Sequence, residues 1–144
     1  MTTQYDPRNT IVVLGPVTLS GGAGFGKDTF IELDQEMDDY THAIGADGEV
    51  VVSKTNDRRA ILQFTLLQTS QANAELSALS TAALALGTPS IGPAKVQNGL
   101  EIFDSPNCVI LRPPPVTMGK EVSERTWKFL FTKLVRVDGG ATPL

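Results

Sequence analysis

The glycine-rich segment 21–28 is the part of this sequence that comes nearest to a chemical motif. It reads Gly-Gly-Ala-Gly-Phe-Gly-Lys-Asp and nearly matches the phosphate-binding loop G-x-x-x-x-G-K-[S/T]. Asp28, however, stands where that loop needs a hydroxyl for magnesium, and its carboxylate would face the phosphates. Residues 29–33 are typical of a strand, whereas the motif must open a helix. We interpret 21–28 as a flexible surface loop, with a nucleotide-binding protein as the alternative.

The sequence lacks the residues that a metal site or acid–base catalysis would need. The acidic segment 34–39 has neither the spacing nor the central glycine of a calcium loop, so we interpret it as solvated. His42 is the only histidine and Cys108 the only cysteine, which rules out a zinc set built from these residue types. No G-x-S-x-G nucleophile motif is present. We therefore expect no catalytic residue, no metal and no cofactor, hence a protein that is not an enzyme, and we interpret His42 as an ordinary strand residue.

Composition indicates one domain, 1–144, that can bury its own core. The chain has 144 residues, 41% of them hydrophobic, and a net charge of −4. This charge argues against an extended basic surface for gripping nucleic acid.

Cys108 precedes Val109-Ile110-Leu111, so we interpret it as a small buried hydrophobe. We find no signal-peptide pattern and no apolar run of membrane-spanning length.

Alternation of apolar and polar residues predicts a mostly-β fold. Segment 59–69 is apolar on both faces, which favours a central strand, and 121–137 is expected to bend near Lys133. Asp47-Gly48 and Asn98-Gly99 predict tight turns. About 1–10 and about 139–144 are read as a polar arm and tail. The predicted strands are 11–14, 17–19, 29–34, 40–44, 49–54, 59–69, 95–97, 100–103, 108–111 and 121–137.

A single helix is predicted over residues 71–86, where alanine and leucine dominate. Ser70 is the expected N-cap, and Gly87-Thr88-Pro89 should end the helix. Its apolar positions recur at helical spacing and should face a sheet. These positions are Leu76, Leu79, Ala83 and Leu86.

The order of several segments resembles the tail tube proteins of contractile-tailed phages. The resemblance covers roughly 11–138, is densest over 45–76, and leaves the loop 20–28 without a counterpart. It implies two packed antiparallel sheets, in a β-sandwich or barrel-like arrangement, with one flanking helix. It also implies hexameric rings stacked helically around a bore lined by a continuous β-barrel. The segments that carry the resemblance are 45–54, 57–60, 66–70, Asn73, Leu76 and 124–129.

The function implied by this resemblance is structural. The chain would be a subunit of a phage tail tube, a hollow conduit for DNA ejection, located in the virion tail and assembled in the host cytoplasm. Its implied partners are further copies of itself, tail sheath and baseplate proteins, and double-stranded DNA that passes without specific binding; no membrane insertion is expected. The open alternatives are a tube of a bacteriocin or type VI secretion machine, the nucleotide-binding protein named above, and a monomeric β-sandwich binding module.

Charge suggests which residues serve such a tube. An anionic wall repels the DNA backbone, so no strong contact has to break during ejection. Acidic residues near the hairpin turns are the candidates for the bore, and basic residues nearby are candidates for contacts with acids of neighbouring subunits. The lumen candidates are Glu32, Asp34, Asp47, Glu49 and Asp57, and the inter-subunit candidates are Lys54, Arg58 and Arg59.

Overall fold

The structure, a computed structural model, describes residues 3–4, 10–19, 31–138 and 142–143. These parts are mostly β, as predicted, with every strand pairing antiparallel and with one helix. The elements are β1 (Thr3–Gln4), β2 (Ile11–Leu14), β3 (Val17–Leu19), β4 (Ile31–Gln35), β5 (Tyr40–Ile44), β6 (Val50–Lys54), β7 (Ala60–Leu67), α1 (Ala72–Leu86), β8 (Ala94–Asn98), β9 (Glu101–Ser105), β10 (Cys108–Arg112), β11 (Glu124–Phe131), β12 (Val135–Val137) and β13 (Thr142–Pro143).

A four-stranded sheet has the order β10-β11-β7-β4. Its middle strands are eight residues long and alternate strictly, because one face lies against the core. Leu62 and Phe64 of β7 are buried beside Phe129 of β11. The Phe64 and Phe129 rings stack with centroids 5.1 Å apart. The prediction of a central strand after residue 59 is therefore confirmed.

A five-stranded sheet has the order β12-β9-β8-β2-β3. The predicted hairpin at Asn98-Gly99 is present, but its turn lies one residue later than predicted. Asn98 pairs with Glu101, so Gly99 and Leu100 form the two-residue turn. Gly99 has φ +58° and occupies the first turn position, which a type II′ turn reserves for glycine.

Both sheets and the helix contribute to one hydrophobic core. The four-stranded sheet contributes its aromatic face, and the five-stranded sheet contributes valine and leucine side chains. The first and last described strands, β1 and β13, pair with each other outside these two sheets. The largest fully buried side chains are Trp127, Phe64, Phe129, Phe131, Leu14, Leu19, Leu62, Leu66, Leu76, Val12 and Cys108.

The segment 121–137 crosses between the sheets. β11 ends at Phe131 in the four-stranded sheet, and β12 begins at Val135 in the five-stranded sheet. Leu134 between them is buried, and its N–H donates to the carbonyl oxygen of Arg58 at 2.8 Å. The bend predicted near Lys133 is therefore the point where the chain leaves one sheet for the other.

The helix α1 matches the predicted span and ends at Gly87 as predicted, with φ +70° at that residue, but the N-cap and the burial of Leu86 need correction. Gln71 occupies the N-cap position without a side-chain cap hydrogen bond, so Ser70 is not the N-cap. Leu76 is fully buried and Leu79 packs against the core. Ala83 is half-buried. Leu86 was expected to be buried, but it is 79% exposed. It points within about 20° of Leu79 at 100° per residue, so its exposure follows from its place at the end of the helix, where residues 84–86 are all exposed.

No helix in the described parts of the chain has the length and hydropathy that a bilayer span requires.

Candidate assembly surfaces

The β5–β6 hairpin stands apart from both large sheets and buries neither of its faces. Its strands were predicted at 40–44 and 49–54, and they pair from Tyr40 opposite Lys54 to Ile44 opposite Val50, so β6 begins one residue later than predicted. All ten strand residues are exposed, although a two-stranded hairpin without a covered face is only marginally stable in water. Its large exposed hydrophobic residues are Tyr40 (61%), Ile44 (71%), Val50 (59%), Val51 (53%) and Val52 (60%). Both faces of this hairpin are therefore suited to contact another molecule.

The tip of the hairpin presents two carboxylates. The N–H of Gly45 donates to the carbonyl oxygen of Glu49 at 2.8 Å, and the N–H of Glu49 donates to Oδ1 of Asp47 at 3.2 Å. Gly48 has φ +89°, which the glycine of an Asp-Gly turn allows. Asp47 and Glu49, two of the predicted lumen residues, therefore project from the end of the hairpin.

The base of the hairpin is held by ion pairs within one subunit. Arg58 Nη1 lies 3.2 Å from Asp39 Oδ1, and Arg59 Nη2 lies 2.7 Å from Asp57 Oδ2. Hydrogen bonds from the Arg59 side chain and backbone lower the pKa of Asp57. Both arginines thus already have an acid within one subunit, and contacts of Arg58, Arg59 and Lys54 with a neighbouring subunit stay a prediction.

The outer face of the four-stranded sheet gathers Glu32 and Asp34. They lie on β4, an edge strand, and Glu32, Gln63 and Lys128 stand opposite one another across three strands. A shallow depression is lined by Glu32, Asp34, Glu36, Ile61, Gln63 and Lys128. The five predicted lumen acids thus fall in three places: Glu32 and Asp34 on this face, Asp47 and Glu49 at the hairpin tip, and Asp57 in an ion pair.

Arg125 is a buried charge that the sequence reasoning missed. It lies opposite Leu66 on the same face of β11 as Trp127, and it is only 9% exposed. Its Nη1 donates to the carbonyl oxygen of Thr117 at 3.3 Å and contacts Ser123 Oγ at 3.5 Å. No carboxylate of the described residues lies within ion-pair distance of its guanidinium. The available signal was the alternation of β11, which places Arg125 in line with Trp127, Phe129 and Phe131.

The remaining chemical candidates are a buried thiol, an exposed histidine and a loop that lies outside the described residues. Cys108 is fully buried, as interpreted, and burial raises the pKa of its thiol to about 12. His42 is exposed on β5, opposite Val52. The glycine-rich loop predicted at 21–28 lies outside the described residues. Within the parts that the structure describes, no three His, Cys, Asp or Glu side chains are placed to hold a metal.

Comparison with known proteins links this geometry to phage tails and related injection machines. A family profile described as "Bacteriophage PhiTE tail tube protein" matches residues 5–135. The cryo-EM structure of the anti-feeding prophage cap, the AFP tube terminating cap, superposes with a TM-score of 0.61 at 10% identity, covering 95% of this chain and 93% of that one. The PVC sheath/tube terminator of an extracellular contractile injection system, in its extended state, superposes with a TM-score of 0.51 at 8% identity, covering 90% of this chain and 94% of that one. No curated protein matches the sequence.

Proposed function

The chain belongs to the Bacteriophage PhiTE tail tube protein family, and from that premise we propose that it is the repeating subunit of a phage tail tube. The family establishes a structural role associated with the tail tube of a virion. More specifically, we propose that hexameric rings of this subunit stack into a hollow conduit through which DNA is ejected. Tail sheath and baseplate proteins would be its other partners, and the tube would assemble in the host cytoplasm.

The β5–β6 hairpin is the observation that carries this proposal. A monomer gains nothing from a projection whose valines and isoleucine face water on both sides, because burial of apolar surface is what stabilises such side chains. In a polymer the same residues are covered by neighbouring copies. Exposed apolar area that is concentrated on one projecting element therefore favours a subunit that completes itself by assembly.

Open sheet edges support ring closure. β4 is one end of the four-stranded sheet, and no further strand follows it among the described residues. An edge strand presents unpaired N–H and C=O groups that pair readily with another chain. Closing six such sheets into one barrel removes these edges, and it turns one face of each sheet toward the bore. We propose that the outer face of the four-stranded sheet, with Glu32 and Asp34, lines that bore.

Electron microscopy of the purified protein tests the proposal directly. We expect rings or tubes at high protein concentration, with a six-fold average. A species that sediments as a monomer at every concentration and salt level would contradict it. In that event a monomeric β-sandwich binding module becomes the better interpretation.

A pair of isosteric variants tests the part played by the hairpin. Val50→Thr with Val52→Thr keeps the shape and the strand preference of one hairpin face but adds hydroxyls, so we expect weaker assembly with an unchanged fold by circular dichroism. The matched control is Val135→Thr with Val137→Thr on β12, which changes two other exposed valines. Equal assembly of both double variants would contradict a special role for the hairpin.

A tube terminator is the second candidate function. It is favoured by the two structural neighbours, which are a tube terminating cap and a sheath/tube terminator. A terminator forms one ring and stops growth, whereas a tube subunit stacks without limit. Single rings that never elongate, at concentrations where the subunit is fully assembled, would favour the terminator. A bacteriocin or secretion tube would share the subunit fold, and the cargo would distinguish it.

A further inference from the structure

We propose that the buried guanidinium of Arg125 is a receptor for the acidic hairpin tip, Asp47 and Glu49, of the next copy of this chain. The inference rests on the proposed function, since it needs the subunits to stack. It adds the residues that join one ring to the next and the direction in which they join.

Arg125 is incompletely satisfied within one subunit. A guanidinium carries five N–H donors, but among the described residues only Nη1 has hydrogen-bond partners, at 3.3 Å and 3.5 Å. Both partners are neutral oxygens, those of Thr117 and Ser123. The other two nitrogens, Nε and Nη2, have no partner in this part of the chain, but they are not sealed from solvent, because no buried side-chain nitrogen of the described residues lacks a hydrogen bond. A bidentate carboxylate is the ligand that suits this fork geometry best. The solvent-facing side of the guanidinium can therefore accept a carboxylate from another molecule.

The surroundings of Arg125 match the hairpin in polarity. The segment 113–123 contacts Arg125 through Thr117 and Ser123, and it exposes three large apolar side chains, Val116 (67%), Met118 (78%) and Val122 (60%). The hairpin likewise combines exposed apolar strands with a carboxylate tip. These apolar side chains are sequence neighbours of Thr117 and Ser123, the two residues that Arg125 contacts, so an apolar arm that ends in acids can make both kinds of contact together.

The two surfaces lie at opposite ends of the four-stranded sheet. The hairpin leaves the sheet where Gln35 pairs with Ala60, at the start of β7. Arg125 pairs with Leu66, near the end of β7. Six residues separate Ala60 from Leu66, which is about 20 Å along an extended strand. A projection at one end and its receptor at the other give a head-to-tail contact, which builds open stacks rather than closed dimers.

Two complementary variants test the pairing. In the first, Arg125→Glu places an acid in the receptor. In the second, Asp47→Lys with Glu49→Lys places bases at the tip. Each variant alone sets like charges against each other and should lose stacking. Mixed together, each tip meets an opposite receptor, so we expect alternating co-assembly visible by electron microscopy and by sedimentation. A mixture that stays unassembled, while each variant keeps the circular dichroism spectrum of the folded wild type, overturns the pairing.

A neutral variant covers the case in which Arg125→Glu does not fold. Asp47→Asn with Glu49→Gln changes only the exposed hairpin tip, and it should raise the critical concentration for stacking by about tenfold or more. The control, Asp38→Asn with Glu101→Gln, removes two other carboxylates and should leave that concentration unchanged. If wild-type tubes form but the tip variant stacks like the control, this inference fails and the proposed function stands. If the wild type forms neither rings nor tubes, both fail.

An internal partner for Arg125 is the remaining outcome to exclude. Asp6 and Asp28 lie outside the described residues and carry carboxylates in the same chain. We expect Asp6→Asn and Asp28→Asn each to stack like the wild type. Loss of stacking in either variant, together with normal stacking of the tip variant, would assign the acid to Arg125's own chain and overturn the contact between copies.

Discussion

Trp127 and Arg125 occupy alternate positions of β11, so both point into the space between the sheets, yet they are satisfied very differently. Trp127 Nε1 donates to Asn73 Oδ1 at 2.9 Å, and Asn73 Nδ2 donates to the carbonyl oxygen of Leu67 at 2.9 Å. Asn73 thereby joins β11, β7 and the first turn of α1. Arg125 has no comparable partner among the described residues. At the scale of single residues, the side-chain N–H of Trp127 is hydrogen-bonded within the subunit, whereas Nε and Nη2 of Arg125 have no hydrogen-bond partner among the described residues.

The Asn73–Trp127 hydrogen bond gives a stability prediction. Asn73→Ala leaves the indole N–H unpaired, and we expect a loss of about 1–3 kcal/mol in the free energy of unfolding. Asn73→Asp keeps an oxygen for Trp127 and should lose less. Urea unfolding followed by the fluorescence of the only tryptophan measures both variants. Equal losses for the two would show that the oxygen acceptor is unimportant.

Cys108 gives a prediction for alkaline pH. Its pKa is raised from 9.0 to about 12 by burial, so the folded state holds the proton more tightly than the unfolded state. The contribution of this group to stability is complete below pH 9 and is lost as the pH rises toward 12. Between these values, unfolding free energy should fall by about 1.4 kcal/mol per pH unit more than in Cys108→Ala. Parallel pH profiles of the two proteins, or fast alkylation of the native thiol at pH 8, would contradict it.

At the scale of elements, alternation and turn chemistry were enough to predict most strands and the helix. They could not predict what covers each strand. Val50-Val51-Val52 is a β-branched run typical of a buried strand, yet it is exposed on both faces, because its partner is another molecule in the proposed assembly. Nor could the alternation of apolar and polar residues show which of the two sheets a strand belongs to. Apolar residues continue from Phe131 to Val137 while the chain changes sheets, although Phe131 and Leu134 are buried and Val135 and Val137 are exposed.

The helix offers a matched pair of leucines for testing. Leu76 is fully buried, whereas Leu86 is 79% exposed ten residues later. Leu76→Ala should cost about 2–5 kcal/mol through lost burial and a cavity. Leu86→Ala should stay within about 0.5 kcal/mol, the range of surface changes. Denaturant unfolding of the monomeric protein measures both. Comparable losses would show that α1 lies in a different orientation on the core.

At the scale of the whole molecule, the residues that matter for assembly were only partly accessible from sequence. The acidic residues were chosen for their charge, but the sequence could not place them on separate surfaces. That separation depends on long-range pairing, such as Glu32 with Gln63 and Gln63 with Lys128. Arg125 is a further case, since it is buried because the pairing of β11 with β7 places it on the core-facing side of the strand. The hairpin projects from one end of the four-stranded sheet and Arg125 lies at the other end. The two ends of a subunit therefore differ, as head-to-tail stacking into a tube requires.

The charge of the proposed bore gives the last prediction. Glu32 and Asp34 lie exposed on the outer face of the four-stranded sheet, and a wall with an acidic excess should not retain DNA. Wild-type tubes should therefore bind double-stranded DNA weakly at about 0.15 M salt, the physiological range. Glu32→Lys with Asp34→Lys should create tight binding that falls steeply with salt, because each new phosphate contact releases counterions. The matched control is Glu101→Lys with Asp104→Lys on the five-stranded sheet, which adds the same charge elsewhere. DNA threaded from the tube end should be protected from nuclease only in the first variant. Equal binding by the two variants would place the four-stranded face away from the bore.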